Sequence, residues 1–164
     1  MQRKIYVVAV LALGLALTGC NKPKTYAQTP EGNAQYLTDN KAKPGVKTLA
    51  DGLQYRVITK GTGNTPTSAS DVVTVTYKGW TVDGKVFDQT QPGETAQFQA
   101  GRLIPGWVEA LQNMQAGDEW EIVVPAELGY GADSPGPEIP PNATLVFQMK
   151  LISVKPVDQL YKNP

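Results

Sequence analysis

Residues 51–155 predict an α+β domain: an antiparallel sheet with one helix packed on one face. Three observations predict it. Apolar and polar residues alternate in several short runs separated by glycine- and proline-bearing turns. Asp83-Gly84 sits between two apolar runs, a hairpin signal. Only one segment of the domain, opened by Ile104-Pro105-Gly106, carries good helical spacing. A span of about 105 residues can bury a core without disulfides.

The chain of 164 residues begins with a basic Met1-Gln2-Arg3-Lys4, and Ile5 to Leu17 is then apolar throughout. At about 1.5 Å per residue that run spans roughly 20 Å, short of a bilayer core of about 30 Å. Residues 1–19 are therefore expected to be a secretory signal peptide. Leu17-Thr18-Gly19-Cys20 resembles the bacterial lipobox, which implies cleavage before Cys20 and acylation of its thiol. That reading accounts for the single cysteine, since an unpaired thiol in an oxidising compartment is a liability. It places the chain in the bacterial cell envelope, held to the membrane through lipid on Cys20. Asn21, by the same resemblance, leans toward the outer membrane, facing periplasm or surface. Removing residues 1–19 takes Arg3 and Lys4 and leaves 13 basic against 15 acidic groups.

Residues 20–50 are expected to be a lipidated tether and spacer, rich in Lys, Thr, Asn, Gln and Pro. Glu31 to Lys43 has the makings of a short helix ended by Pro44-Gly45. Its sizeable apolar residues are only Tyr36 and Leu37, so it is expected to be marginal or loosely docked.

Within the domain, Leu53, Tyr55 and Val57 alternate as one face of a strand. Val73, Val75 and Tyr77 alternate against Val72, Thr74 and Thr76, and that strand continues through Trp80 to Val82. A two-residue Asp83-Gly84 turn of type I′ is expected before Lys85-Val86-Phe87. Gln97-Phe98-Gln99 is a weak strand. Trp107, Val108, Leu111 and Met114 then follow helical spacing, with Gly117 as the stop. Trp120, Ile122 and Val124 alternate with Glu119 and Glu121. A long loop from Leu128 to Pro141 precedes a last strand that sets Leu145, Phe147, Met149 and Leu151 on one face. Residues 156–164 read as a C-terminal tail.

Composition excludes much chemistry. The chain has no histidine, so it has no Ser-His-Asp triad, no Cys-His pair and no His-ligated metal. One cysteine excludes an internal disulfide and a CxxC site. Fifteen basic and fifteen acidic groups leave no electrostatic footprint for nucleic acid. Asp118, Glu119 and Glu121 read as a solvated strand edge rather than a metal or acid pair. No cofactor and no metal is implied.

Five segments occur in order: Val75-Thr76-Tyr77-Lys78-Gly79, Asp83-Gly84-Lys85-Val86-Phe87-Asp88, Ile104-Pro105-Gly106-Trp107, Leu128-Gly129-Tyr130-Gly131, and Ile139 through Phe147. Together they resemble the signature series of the FKBP-type peptidyl-prolyl cis-trans isomerases. Lys43-Pro44-Gly45-Val46 and Gly52-Leu53-Gln54-Tyr55 further resemble the macrophage infectivity potentiator branch. The resemblance implies a twisted sheet of five or six antiparallel strands wrapped around one short helix. It also implies a proline pocket between sheet and helix. Trp107 would be the floor, with Tyr77, Phe87, Leu103, Ile104 and Phe147 as walls. Tyr130 and the Ile104 N–H would donate to a substrate carbonyl, Asp88 would be the charge at the rim, and Ile139 would come from an overhanging loop. Partners would be X-Pro segments of unfolded or secreted polypeptides and, among inhibitors, macrolides. The long helix that dimerises some relatives has no counterpart here, which favours a monomer.

Two departures from the pattern stand out. Ala96 falls where a wall aromatic is common, and Glu138 falls where an apolar residue is common. Both favour an alternative in which the pocket grips prolyl or apolar segments as a chaperone with little turnover. A third reading is an adhesion or host-interaction lipoprotein that uses the fold as a scaffold.

Overall fold

The computed structural model describes residues 24–160; the expected leader and Cys20 lie outside the described residues. A helix α1 (Pro30–Lys41) precedes strands β1 (Lys47–Thr48), β2 (Gln54–Thr59), β3 (Val72–Thr81), β4 (Val86–Gln89) and β5 (Ala96–Gln99). Helix α2 (Pro105–Asn113), β6 (Glu119–Val124), a 3-10 turn (Ala126–Leu128), β7 (Leu145–Lys155) and a short α3 (Val157–Leu160) complete the order. The strands form one seven-stranded sheet in the order β1-β2-β6-β7-β3-β4, with β5 also paired to β3. Every pairing is antiparallel. The α+β expectation holds, and the extra strand count comes from short pieces such as the two-residue β1.

β3 and β7 form the spine, in register from Val72↔Lys155 to Thr81↔Leu145. Their inward residues Val73, Val75, Leu145, Phe147, Met149 and Leu151 are buried with Trp107, Ala110, Leu111 and Met114 from α2. The helix thus buries the stripe its spacing predicts except Val108, which stays half-buried outside the core while Ala110 enters it. It ends at Asn113, with Met114 as its extended C-cap; Gly117, the expected stop, at φ +96°, lies in the next turn. The Asp83-Gly84 hairpin is present, but its loop is one residue longer than expected. The Thr81 N–H donates to Lys85 O (3.0 Å) and the Gly84 N–H to Thr81 O (2.8 Å). Gly84 alone in that loop has positive φ (+87°), the pattern of a turn followed by one left-handed residue rather than type I′. Val57 does not join the core: it is 39% exposed, because β2 is irregular between Val57 and Thr59 and β1 reaches only Gln54 and Tyr55.

Helix α1 is firmly docked, contrary to expectation, and it docks through polar groups. Its start is capped by the Thr29 hydroxyl, which accepts the Gly32 N–H (3.1 Å), with Pro30 in the first turn. Asn33 is buried; its amide donates to Asn142 O (3.0 Å) and accepts from the Thr144 N–H (3.3 Å). Asn40, also buried, donates to Gln54 Oε1 (2.9 Å), and Gln54 in turn donates to Leu37 O (2.9 Å). Gln54 lies in register with Val123, and Val123 with Val146, so all three share the sheet face opposite the main core. Val123 and Val146 are buried there although neither belongs to the main cluster. Residues 24–29 are held too: the Tyr26 ring meets Tyr36 edge-on at 4.9 Å, and Lys24 pairs with Asp39.

Asp118 likewise departs from expectation. It is fully buried, accepting the Gly61 N–H (2.5 Å) and the Gln115 N–H (2.8 Å), with Lys60 Nζ at 3.6 Å. A carboxylate so placed ties two loops together rather than facing water.

Candidate functional site

Ile104 precedes Pro105, and proline drives the residue before it out of the helical region. Ile104 is accordingly extended (φ −58°, ψ 147°), and its carbonyl starts α2 by accepting the N–H groups of Trp107 (2.9 Å) and Val108 (3.2 Å). Its own N–H donates to no described residue. The turn of α2 that follows delivers Trp107 to the inner face of the sheet.

There the Trp107 indole, 4% exposed, is surrounded by rings from three other strands. Tyr77 of β3 stands at 5.2 Å and 87°, Phe98 of β5 at 6.1 Å and 86°, and Phe147 of β7 at 5.3 Å and 88°. Phe87 of β4 meets Phe147 at 5.5 Å and 85°. Such edge-to-face contacts match the aromatic quadrupoles. Gly79 makes the cluster possible: a Cβ there would lie 2.7 Å from Phe87 and 2.8 Å from Phe147.

The rings enclose a hollow of about 400 Å³, lined also by Asp88, Arg102, Leu103, Ile104 and Tyr130. It is neither filled by the protein's own side chains nor flat. Nine of the ten lining positions are aromatic, aliphatic or the carboxylate and hydroxyl groups just named; the tenth is Arg102. Tyr77 donates its hydroxyl proton to Asp88 Oδ2 at 2.5 Å. Burial, and then the bond to Asp88, push the Tyr77 phenol well above its ordinary pKa. Burial, reinforced by the Asp88 charge, raises the Tyr130 phenol as well. Tyr130 is 40% exposed and its hydroxyl bonds to no described residue, so it stays protonated with its proton free to donate.

Of the residues singled out from sequence, Tyr77, Phe87, Asp88, Leu103, Ile104, Trp107, Tyr130 and Phe147 all line this hollow. Ile139 does not. It is 7% exposed, packed in the core cluster, and borders an adjoining hollow of about 260 Å³ shared with Phe87, Asp88 and Tyr130. Its loop is folded inward because the Ser134 hydroxyl donates to Ile139 O (2.6 Å) and the Asn142 N–H to Gly131 O (2.7 Å). Phe98 and Arg102 were missed. Phe98 lies two residues beyond Ala96 on the same strand face, and it supplies the ring that Ala96 lacks. Glu138 does not open the site either; it pairs with Lys85 of the hairpin. Among the described residues no cluster of acidic, cysteine or histidine side chains suits a metal ion.

The comparisons with known proteins agree with this geometry. The family model of the FKBP-type peptidyl-prolyl cis-trans isomerases matches residues 63–152, and the model of the domain amino-terminal to such isomerases matches residues 20–57. The chain belongs to the FKBP-type isomerase family. It is 54% identical over 121 residues to the outer membrane protein MIP of Legionella longbeachae, covering 73% of this chain and 52% of that protein. It is 48% identical over 126 residues to the peptidyl-prolyl cis-trans isomerase Mip of Coxiella burnetii, covering 76% and 54%. The chain thus spans about half the length of the curated relatives it matches. Among solved structures, a peptidyl-prolyl cis-trans isomerase from Pseudomonas syringae is similar with a TM-score of 0.71 at 42% identity, covering 76% of this chain and 92% of that one. FkpA from Escherichia coli gives 0.72 at 42% identity, covering 77% and 59%.

Proposed function

We propose that the chain is a peptidyl-prolyl cis-trans isomerase acting on X-Pro bonds of polypeptides in the bacterial cell envelope. The observation that carries this reading is the aromatic hollow over Trp107, bordered by two unengaged donors, the Ile104 N–H and the Tyr130 hydroxyl. An X-Pro amide is planar through resonance, with a barrier of about 18–20 kcal/mol to rotation. No nucleophile is needed to cross it, so the absence of histidine from the chain is no handicap. The twisted amide has lost resonance and is less dipolar than the planar one. A dry, ring-lined hollow therefore disfavours the planar form relative to the twisted one. Burying the prolyl ring against Trp107 supplies binding of about 1.5–3 kcal/mol. The two donors hold the carbonyl before the proline while the bond turns. Asp88 holds the Tyr77 hydroxyl and raises the Tyr130 phenol, so it orders the mouth of the site. A barrier lowered by roughly 5 kcal/mol speeds the flip by nearly four decades.

The lipobox-like Leu17-Thr18-Gly19-Cys20 and the outer-membrane name of the Legionella relative support attachment to the envelope through lipid on Cys20. The reading takes the protein as a monomer acting on secreted or unfolded clients. A protease-free isomerisation assay on short X-Pro peptides tests the activity. Turnover well above the uncatalysed rate, blocked by a macrolide that fills the hollow, is expected; an uncatalysed rate would overturn the reading. For the anchor, Cys20→Ala is expected to release the protein from the membrane fraction.

A further inference from the structure

Among the described residues Arg102 is the one cation lining the hollow, and the isomerase reading above gives it no role. Backbone bonds hold its place in the chain: the Arg102 N–H donates to Gln99 O (3.0 Å) and the Gly101 N–H to Ala69 O (2.8 Å). The chain then runs directly into Leu103 and Ile104, which line the same wall. The guanidinium itself makes no hydrogen bond or ion pair with any described residue. The other charge of the hollow, Asp88, already holds the Tyr77 hydroxyl, so the two charges of the site do not satisfy one another.

Charge is also segregated across the site. Asp88 borders both hollows, and Glu138 lines the second with it. Arg102 borders only the first. Glu138 is neutralised by Lys85, so the charges without an ion-pair partner among the described residues that a bound polypeptide meets are Asp88 and Arg102. A guanidinium is charged at every relevant pH and presents a planar fork of donors that fits a carboxylate in two parallel bonds. At an exposed guanidinium such a pair contributes modestly and is screened by salt.

We propose that Arg102 selects polypeptides carrying a carboxylate side chain, Asp or Glu, next to the proline. The proposal rests on the isomerase reading and names a substrate class for it. Asp88, the other charge of the hollow, repels a carboxylate, so any preference for one has to come from Arg102. Arg102 is solvent-exposed, so its effect is a bias rather than an absolute requirement.

The test compares tetrapeptides that differ only in Glu against its neutral isostere Gln, placed before the proline in one pair and after it in another. Isomerisation is read by NMR exchange, without a coupled protease. In the unmodified protein the Glu peptide of at least one pair is expected to show kcat/KM about fivefold above its Gln partner, through KM rather than kcat, with the advantage shrinking at about 0.5 M salt. Arg102→Gln is expected to bring the ratio to about one, and Arg102→Glu to invert it. The Gln peptides monitor folding and basal turnover within each variant. A ratio of one in both pairs, or a ratio that Arg102→Gln leaves standing, would overturn the proposal alone. Absence of turnover for every peptide, Gln included, would overturn the isomerase reading and this proposal with it.

Discussion

The Tyr77 hydroxyl and the Asp88 carboxylate share a hydrogen bond of 2.5 Å between β3 and β4, at the mouth of the hollow. Asp88, expected as the charge at the rim, fixes Tyr77 directly and reaches Tyr130 through its charge. Burial first, and Asp88 after it, push both phenols above their ordinary pKa. Asp88→Ala is expected to lower kcat/KM about ten- to fiftyfold, while thermal unfolding shifts by less than about 1 kcal/mol because the carboxylate is exposed. Tyr77→Phe removes the same bond from the other side. The double variant should therefore lose less than the two single losses multiplied together, a coupling that a double-mutant cycle measures. Strict additivity would show that the two side chains act separately.

Gly79 offers a test of the hollow's walls that leaves every lining side chain in place. The 2.7–2.8 Å approach to Phe87 and Phe147 leaves no room for a methyl group. Gly79→Ala should cost about 1–3 kcal/mol in chemical denaturation by overpacking. The shifted rings should also reduce peptide affinity, visible as a raised KM. Full activity with the fold intact would mean that the ring positions do not set the site.

The acid limit of stability should follow carboxylates whose bonds are made only when ionised. Burial pushes the Asp71 carboxyl up, but the N–H groups of Thr67, Ser68 and Val157 outweigh it and hold it below the ordinary range. Lys24, with Tyr26 and Gln35, brings Asp39 to about 2. Groups whose folded pKa is depressed contribute stability that is present above their unfolded pKa of about 4 and lost as pH falls toward the folded value. Unfolding free energy should therefore fall between about pH 4 and pH 2. Asp71→Asn should destabilise the protein at pH 7 by about 1–3 kcal/mol and flatten that slope. An unchanged slope would remove Asp71 from the account.

The docking of α1 is checked by hydrogen exchange. Asn33→Ala combined with Asn40→Ala deletes bonds to Asn142, Thr144 and Gln54. Amides of residues 30–41 should then exchange quickly, while those of β3 and β7 stay protected. Protection retained in α1 would show that apolar contacts, not these amides, hold it.

Much of the molecule was legible in the sequence because apolar alternation and helical spacing report directly on burial. β3, β6, β7 and α2 fall where those periods place them, and eight of the nine expected pocket residues meet in one hollow. Illegible parts share a physical cause. Asn33 and Asn40 bury amides against partners far along the chain, and no periodicity marks a polar docking surface. Asp118 has the same letter whether it faces water or two backbone amides. Phe98 was visible as a strand residue, but its neighbour Trp107 arrives only through the fold. Ile139, expected on a loop overhanging the pocket, borders a hollow shared with Phe87, Asp88 and Tyr130 while its side chain also packs into the core, a double role that sequence does not mark.

The polar seam that seats α1 also decides from which side the domain is approached. Tyr77 and Phe147 project from one surface of the sheet, whereas Asn40 and Gln54 meet over the other. Helix α1 and its clamp therefore occupy the back of the sheet and leave the ring-lined face uncovered. A long polypeptide lying along the rings does not compete with α1 for room, and the clamp that holds α1 away is made of amides rather than grease.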